Sequence, residues 1–326
     1  MHEDILLSIK NLTKHYPVGS TILGRAKETV RAVNGVTLSV KRGETLGLVG
    51  ESGCGKSTLG RCILRLDEPT SGEIFFNKQD FLSLKGKALR KVRRDMQPIF
   101  QDPFMSLNPR KTVGRLIGEA FKIHGLLTTA QRQEKVSELL NVVGMRPEHA
   151  VRYPHEFSGG QRQRIAIARA IALNPALVIA DEAVSALDVS IQAQILNLMI
   201  TLQRQFNLTY IFISHDLSVV RHISDRIAVV YLGRVVELAS VSQLFSEPKH
   251  PYTQSLLASI PVPDPGQKRK RVVLEGDIPS SIDFQESCPF MPRCRSKSAQ
   301  CDLNQHRMPA LTKVESEHYV ACFNYN

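Results

Sequence analysis

Apolar residues fall along this chain in two kinds of run. Three are short and nearly uninterrupted: Thr45-Leu46-Gly47-Leu48-Val49, Leu177-Val178-Ile179-Ala180 and Tyr210-Ile211-Phe212-Ile213. Runs of that kind predict strands covered on both faces, as in a parallel sheet flanked by helices. Residues 5–10, 35–40 and 73–76 read as further strands, with a polar loop at residues 19–27. Residues 226–230 and 234–238 flank Tyr231-Leu232-Gly233 and predict a hairpin. The second kind repeats at helical spacing: residues 59–66, 113–124, 130–143, 162–173 and 189–206, with a basic helix at 80–95. Residues 104–165 thus read as a helical lobe inserted between two halves of an α/β core. Prolines multiply from Pro248 onward and predict a linker over 248–271, basic at its end. A small cysteine-bearing extension follows at 272–326.

The composition is that of a soluble chain with ample core: 42% hydrophobic and 22% charged over 326 residues. No apolar run approaches the roughly 18 residues of a membrane helix. Met1-His2-Glu3-Asp4 carries acids where a secretory leader carries bases. Both features predict a cytoplasmic protein whose membrane contact comes through partners. The net charge of +11 calls for an anionic partner, which nucleotide, nucleic acid or anionic lipid would each satisfy. Arg90-Lys91-Val92-Arg93-Arg94 and Lys268-Arg269-Lys270-Arg271 lack interleaved aromatics, so they read as solvated faces rather than nucleic-acid grooves. The first could equally face lipid headgroups.

The stretch Gly50-Glu51-Ser52-Gly53-Cys54-Gly55-Lys56-Ser57-Thr58 sits between a strand and a helix and fits G-x-x-x-x-G-K-[ST]. Glycines let the backbone turn tightly, so that its N–H groups can face phosphate oxygens, and the helix that follows adds its positive end. Lys56 would reach the β- and γ-phosphates and Ser57 would ligate Mg²⁺. Asp181-Glu182 ends a buried strand, where open α/β sheets place their ligands. Asp181 would hold Mg²⁺, and Glu182 would orient or deprotonate an attacking water. Gln101 and His215 each follow a short β-run and could point into the same crevice. Phe157-Ser158-Gly159-Gly160-Gln161 opens a helix, with Ser158 at the N-cap, and reads as a second anion site serving a nucleotide held by another subunit. Tyr16 could be a surface aromatic or could stack on an adenine.

In order and spacing these motifs resemble those of the ATP-binding subunits of ABC transporters. The resemblance implies a P-loop NTPase fold over residues 1–247, with an antiparallel β part and the inserted helical subdomain. Residues 50–58 match Walker A, Gln101 the Q-loop, residues 157–161 the signature motif and residues 177–182 Walker B. Asp188 closes the D-loop Ser185-Ala186-Leu187-Asp188, and His215 matches the H-loop. It further implies that Tyr16 stacks on adenine, and that Gln101 joins Ser57 and Asp181 at Mg²⁺. Ala183 stands where the family usually has proline, which removes no ligand. Phe100-Gln101-Asp102-Pro103, Ser106-Leu107-Asn108-Pro109-Arg110, His250-Pro251-Tyr252-Thr253 and the Cys-Pro-Phe tail narrow the likeness. They are similar to the second of two paired ATPases in the dipeptide/oligopeptide permease branch.

The implied function is hydrolysis of ATP to power peptide import from the cytoplasmic face of the membrane. The implied partners are a paralogous ATP-binding subunit, two permease subunits and an extracytoplasmic solute-binding protein, with no nucleic acid. Importers of the same family carry other solutes, such as glutathione, nickel complexes or sugars. A soluble ABC ATPase acting on nucleic acid or ribosomes is the alternative class, although those carry long coiled coils or two cassettes. Cys288, Cys294, Cys301 and Cys322 suit zinc or an iron–sulfur cluster, and their spacing does not choose between them. The resemblance implies a [4Fe–4S] cluster.

Overall fold

The computed structural model describes residues 4–20, 26–260 and 287–325. The basic cluster at 268–271 and Pro261, Pro263 and Pro265 lie outside the described residues. The chain divides into two compact units. One comprises Met1–Val40, Thr45–Leu82 and Ser214–Asn326, the other Lys41–Glu44 and Ser83–Ile213.

In the first unit an antiparallel sheet runs in the order Ala26–Lys41, Ile5–Ser20, Ser71–Phe76, Gln79–Asp80. Its two long strands extend well past the expected 5–10 and 35–40, into the stretch expected to be a polar loop. The sequence hides this because a sheet exposed on one face needs apolar residues only at alternate positions. Leu7, Ile9, Val36, Leu38 and Val40 meet that need, and polar residues such as Ser8, Lys10, Thr37 and Ser39 alternate with them. A second set of strands runs Thr312–Glu315, His318–Val320, Arg234–Ser240, Arg226–Tyr231, Thr45–Val49. Thr45–Val49 is parallel to Arg226–Tyr231, with Leu48 opposite Ala228, and is buried at every position. Arg226–Tyr231 and Arg234–Ser240 form the expected hairpin, and His318–Val320 adds to its outer edge, Glu237 opposite Val320.

The second unit is built on three parallel strands, Met96–Ile99, Leu177–Asp181 and Thr209–Ile213. Helices Val113–His124 and Val189–Phe206 match their expected bounds, and Thr129–Val142 starts one residue early at a Thr128/Gln131 capping box. Only Gly86–Val92 of the basic 80–95 stretch is helical. None of its residues is buried, so it lacks the apolar stripe that would extend it.

The C-terminal part is more tightly packed than its proline content suggests. Pro251–Ala258 is a helix, with Pro251 in its first turn, where a missing N–H costs nothing. Tyr252 is fully buried. Phe290 and Val320 are buried too. Glu237, 0% exposed, gathers this region. Its carboxylate accepts the N–H of Lys249 at 2.8 Å and of His250 at 2.9 Å, and meets His318 Nε2 at 2.7 Å.

Candidate functional site

In the first unit, the buried strand Thr45–Val49 delivers the chain into the glycine loop, and helix Lys56–Ile63 leaves it. Gly55 takes the N-cap position with φ 99°, a left-handed conformation suited to glycine, and a Cβ there would lie 2.0 Å from Ala32 O. A Cβ on Gly50 would meet Val230 O at 2.2 Å. No side chain caps the helix, so its first N–H groups and its dipole face the loop. Lys56 is buried, and its ammonium donates to Gly50 O at 2.8 Å and Glu51 O at 2.9 Å, with Cys54 Sγ 3.6 Å away. The cradle therefore holds one cation curled inside a ring of backbone, which suits phosphate oxygens. Burial pushes the Cys54 thiol up, against the pull of Lys56. Ser52, Gly53 and Ser57 are exposed in the loop and Thr58 is half-buried.

His215 lies in the same unit. Ser214 N–H donates to Leu48 O at 3.1 Å, on the strand that feeds the loop. Ser214 Oγ accepts from Asp216 N–H, and Asp216 in turn caps helix Leu217–Ile223, leaving His215 exposed on a fixed turn. Tyr16 is half-buried. Its hydroxyl donates to Asp67 at 3.0 Å, and Lys14 Nζ lies 4.8 Å from the ring centre. Hydrogen bonds from Arg61, then Tyr16, hold the Asp67 carboxyl below the usual range. The ring is thus fixed in place.

In the second unit Asp181 ends its strand opposite Ile213. Glu182 follows in a left-handed conformation, φ 47°, which costs a non-glycine residue on the order of 1–3 kcal/mol. Neighbours hold it there. Its N–H donates to Ile213 O at 2.9 Å, and its carbonyl accepts from Ser185 Oγ at 2.9 Å. The turn aims its carboxylate at Gln101, whose Nε2 donates to Glu182 Oε2 at 2.8 Å. Two residues 81 apart in sequence are brought together by the pairing of Met96–Ile99 with Leu177–Asp181.

Ser158 N-caps helix Gly159–Ile171 in a capping box with Gln161, each backbone N–H meeting the other's side chain. A Cβ on Gly160 would lie 2.6 Å from Ile191 Cγ2, whereas on Gly159 it would make ordinary contact with Leu187 at 3.4 Å. Asp188 takes the N-cap position of helix Val189–Phe206 without a side-chain cap bond. Arg162 lies over the exposed ring of Phe104, 3.5 Å from its centre, just past Gln101.

The four C-terminal cysteines line one cavity, with His250 and Phe290 in its wall. All are free thiols. Burial pushes Cys288 up to about 11, with the nearby Cys322 and Cys294 adding to the rise, and raises Cys294 and Cys322 as well. Among the described residues no group of three or more His, Cys, Asp or Glu is arranged to hold a metal ion.

Sequence reasoning missed Arg293, Tyr252 and Glu237. Arg293 grips Glu51 of the glycine loop through both carboxylate oxygens, at 2.9 and 3.2 Å, and Tyr252 accepts the Glu51 N–H at 2.9 Å. No local pattern carries a contact spanning more than 200 residues.

The ABC transporter family pattern matches residues 33–185, and that of the oligopeptide/dipeptide transporter C-terminal region matches residues 236–301. The oligopeptide transport ATP-binding protein AppF of Bacillus subtilis is 52% identical over 100% of this chain and 99% of its own length. A peptide ABC transporter ATP-binding protein of Sinorhizobium fredii, y4tS, is 51% identical over 98% of this chain and 90% of its own. The dimeric structure of the ATP-binding cassette MJ0796, in a post-hydrolysis state bound to ADP and Pi, is 32% identical. It superposes with a TM-score of 0.64 over 72% of this chain and 98% of that one.

Proposed function

The chain belongs to the ATP-binding proteins of the ABC transporter family, and from that premise we propose that it hydrolyses ATP to power import of dipeptides or oligopeptides. The observation that carries the ATPase reading is the glycine loop, with buried Lys56 inside it and an uncapped helix behind it. The C-terminal region at 236–301 and the names of the relatives support peptides as the solute class.

Lys56 exchanges its carbonyl partners for the β- and γ-phosphates when nucleotide enters, while the loop N–H groups take up the remaining oxygens. Ser57 would ligate Mg²⁺ at the glycine loop, and Gln101 and Asp181 are the candidate Mg²⁺ ligands of the second unit. Glu182 orients and deprotonates the attacking water, and Gln101 holds its carboxylate in place until water takes that position. His215 stabilises the γ-phosphate, and Tyr16 stacks on adenine. The opening of Gly159–Ile171, from Ser158 to Gln161, serves the nucleotide of a paralogous subunit, with Asp188 beside that junction. The second unit's helices over residues 104–165 act as the helical subdomain facing two permease subunits at the cytoplasmic side of the membrane. An extracytoplasmic binding protein delivers the solute. No described helix is long and apolar enough to cross a membrane.

Cys288, Cys294, Cys301 and Cys322 would hold a [4Fe–4S] cluster. A cluster takes one thiolate per iron, and all four thiols line one cavity. Zinc, held by sulfurs about 2.3 Å from one point, is the alternative group for the same four thiols. Such a group would staple the segment and force its raised thiols to ionise. Iron, acid-labile sulfide and zinc per chain after anaerobic purification test this directly. For transport, peptide-dependent ATP turnover in the reconstituted complex is the test, and turnover indifferent to every peptide would refute it.

A further inference from the structure

The loop Cys288-Pro-Phe-Met-Pro-Arg-Cys294 lies against the support of the nucleotide cradle. A short 3-10 turn, Met291–Arg293, closes it, with Arg293 N–H donating to Phe290 O and Cys294 N–H to Met291 O. Two of its side chains face back toward the glycine loop. Phe290, 2% exposed, meets Tyr231 edge-on, ring centres 5.4 Å apart, and Tyr252 at 5.5 Å. Arg293, its side chain 5% exposed, forms the two-pronged pair with Glu51 and donates to Tyr231 Oη at 3.4 Å. Glu51 is thus held by its backbone through Tyr252 and by its carboxylate through Arg293.

Glu51 is the only acid among residues 50–58. A carboxylate in a loop built for a polyanion opposes binding unless a cation answers it, and a planar guanidinium does so with fixed geometry. The geometry points to Arg293 as a positioning residue for nucleotide: paired with Glu51, it neutralises and orients the glycine loop and so sets ATP affinity from within the cysteine-bearing segment. The inference rests on the nucleotide-binding reading above. Because Arg293 directly precedes Cys294, whatever fixes the cysteine loop also fixes the pair.

Binding of a fluorescent ATP analogue to the full chain, with Mg²⁺, tests it in wild type and in Arg293→Ala, Arg293→Lys and Glu51→Gln/Arg293→Ala. Arg293→Ala should weaken binding tenfold or more, equivalent to about 1.4 kcal/mol. In the assembled complex KM should rise while kcat at saturating ATP stays within about threefold. Arg293→Lys should recover part of the affinity, since it restores charge but not the fork. Glu51→Gln/Arg293→Ala should recover most of it, because no uncompensated anion remains. Unchanged affinity in Arg293→Ala, or a double variant no better than the single one, would overturn the inference. Far-UV circular dichroism identifies a misfolded variant, in which case Arg293→Lys and the double variant decide the matter. Wild-type chain that does not bind the analogue, or binds it equally well as Lys56→Ala, would instead overturn the nucleotide reading itself.

Discussion

Glu237→Ala should be among the most destabilising single changes in the C-terminal region. The carboxylate is fully buried, and three donors converge on it: the backbone N–H groups of Lys249 and His250, and His318 Nε2. Truncation strands all three away from water. A buried donor without a partner costs about 1–3 kcal/mol, and straight addition would give roughly 3–9. Groups sharing one partner are not additive, and water entering the gap recovers part of the loss. Allowing for both, the expected loss is about 3–5 kcal/mol. Glu237→Gln keeps the volume, yet whichever way the amide is turned its NH₂ faces a backbone N–H. Oε1 meets Lys249 and Oε2 meets His250, so one bond is lost and one repulsion gained, about 1–3 kcal/mol. The assay is urea unfolding followed by far-UV circular dichroism, because the chain has no tryptophan. A loss under about 1 kcal/mol in Glu237→Ala, or a Gln variant less stable than the Ala variant, would refute the reasoning.

Glu182→Gln should bind ATP and hydrolyse it about 10²- to 10⁴-fold more slowly in the assembled complex, and retention of a tenth of the wild-type rate would contradict the role given to Glu182. Gly55→Ala should abolish nucleotide binding by the isolated chain, since its Cβ would press on Ala32 O in a left-handed turn. A large side chain at Gly159 should spare binding by the isolated chain but stop turnover in the complex. Lost affinity in isolation would mean that the loop serves its own nucleotide. Asp67 is held below the usual carboxylate range, so it contributes stability that is present above pH ~4 and lost as the pH falls through its depressed folded value. The acid limb of the stability curve should therefore be shallower in Asp67→Asn.

Features fixed by neighbours in the chain were legible in the sequence. The glycine loop, the Ser158 cap, the buried strands and the limits of Val113–His124 all follow from spacings of a few residues. Gln101 and Glu182 were each singled out by their place after a strand, and strand pairing brought them together. Features that depend on distant packing were not legible. The long antiparallel strands carry only a half-apolar pattern, and prolines around residue 250 disguise a buried helix. The Arg293–Glu51 pair joins positions 242 apart, and nothing near Arg293 distinguishes it from a solvated arginine.

The short strand His318–Val320 has a consequence for any shortened form of this protein. It occupies the outer side of Arg234–Ser240, with Glu237 and Leu238 in register and Ala321 N–H donating to Val236 O at 2.9 Å. A chain cut near residue 260 keeps every nucleotide motif but leaves that side bare. The bare strand would present Val235, Val236, Leu238 and Ala239 beside a row of unanswered backbone donors and acceptors. Such a rim recruits further copies edge to edge, so loss of the tail should first appear as insoluble polymer rather than as slower chemistry.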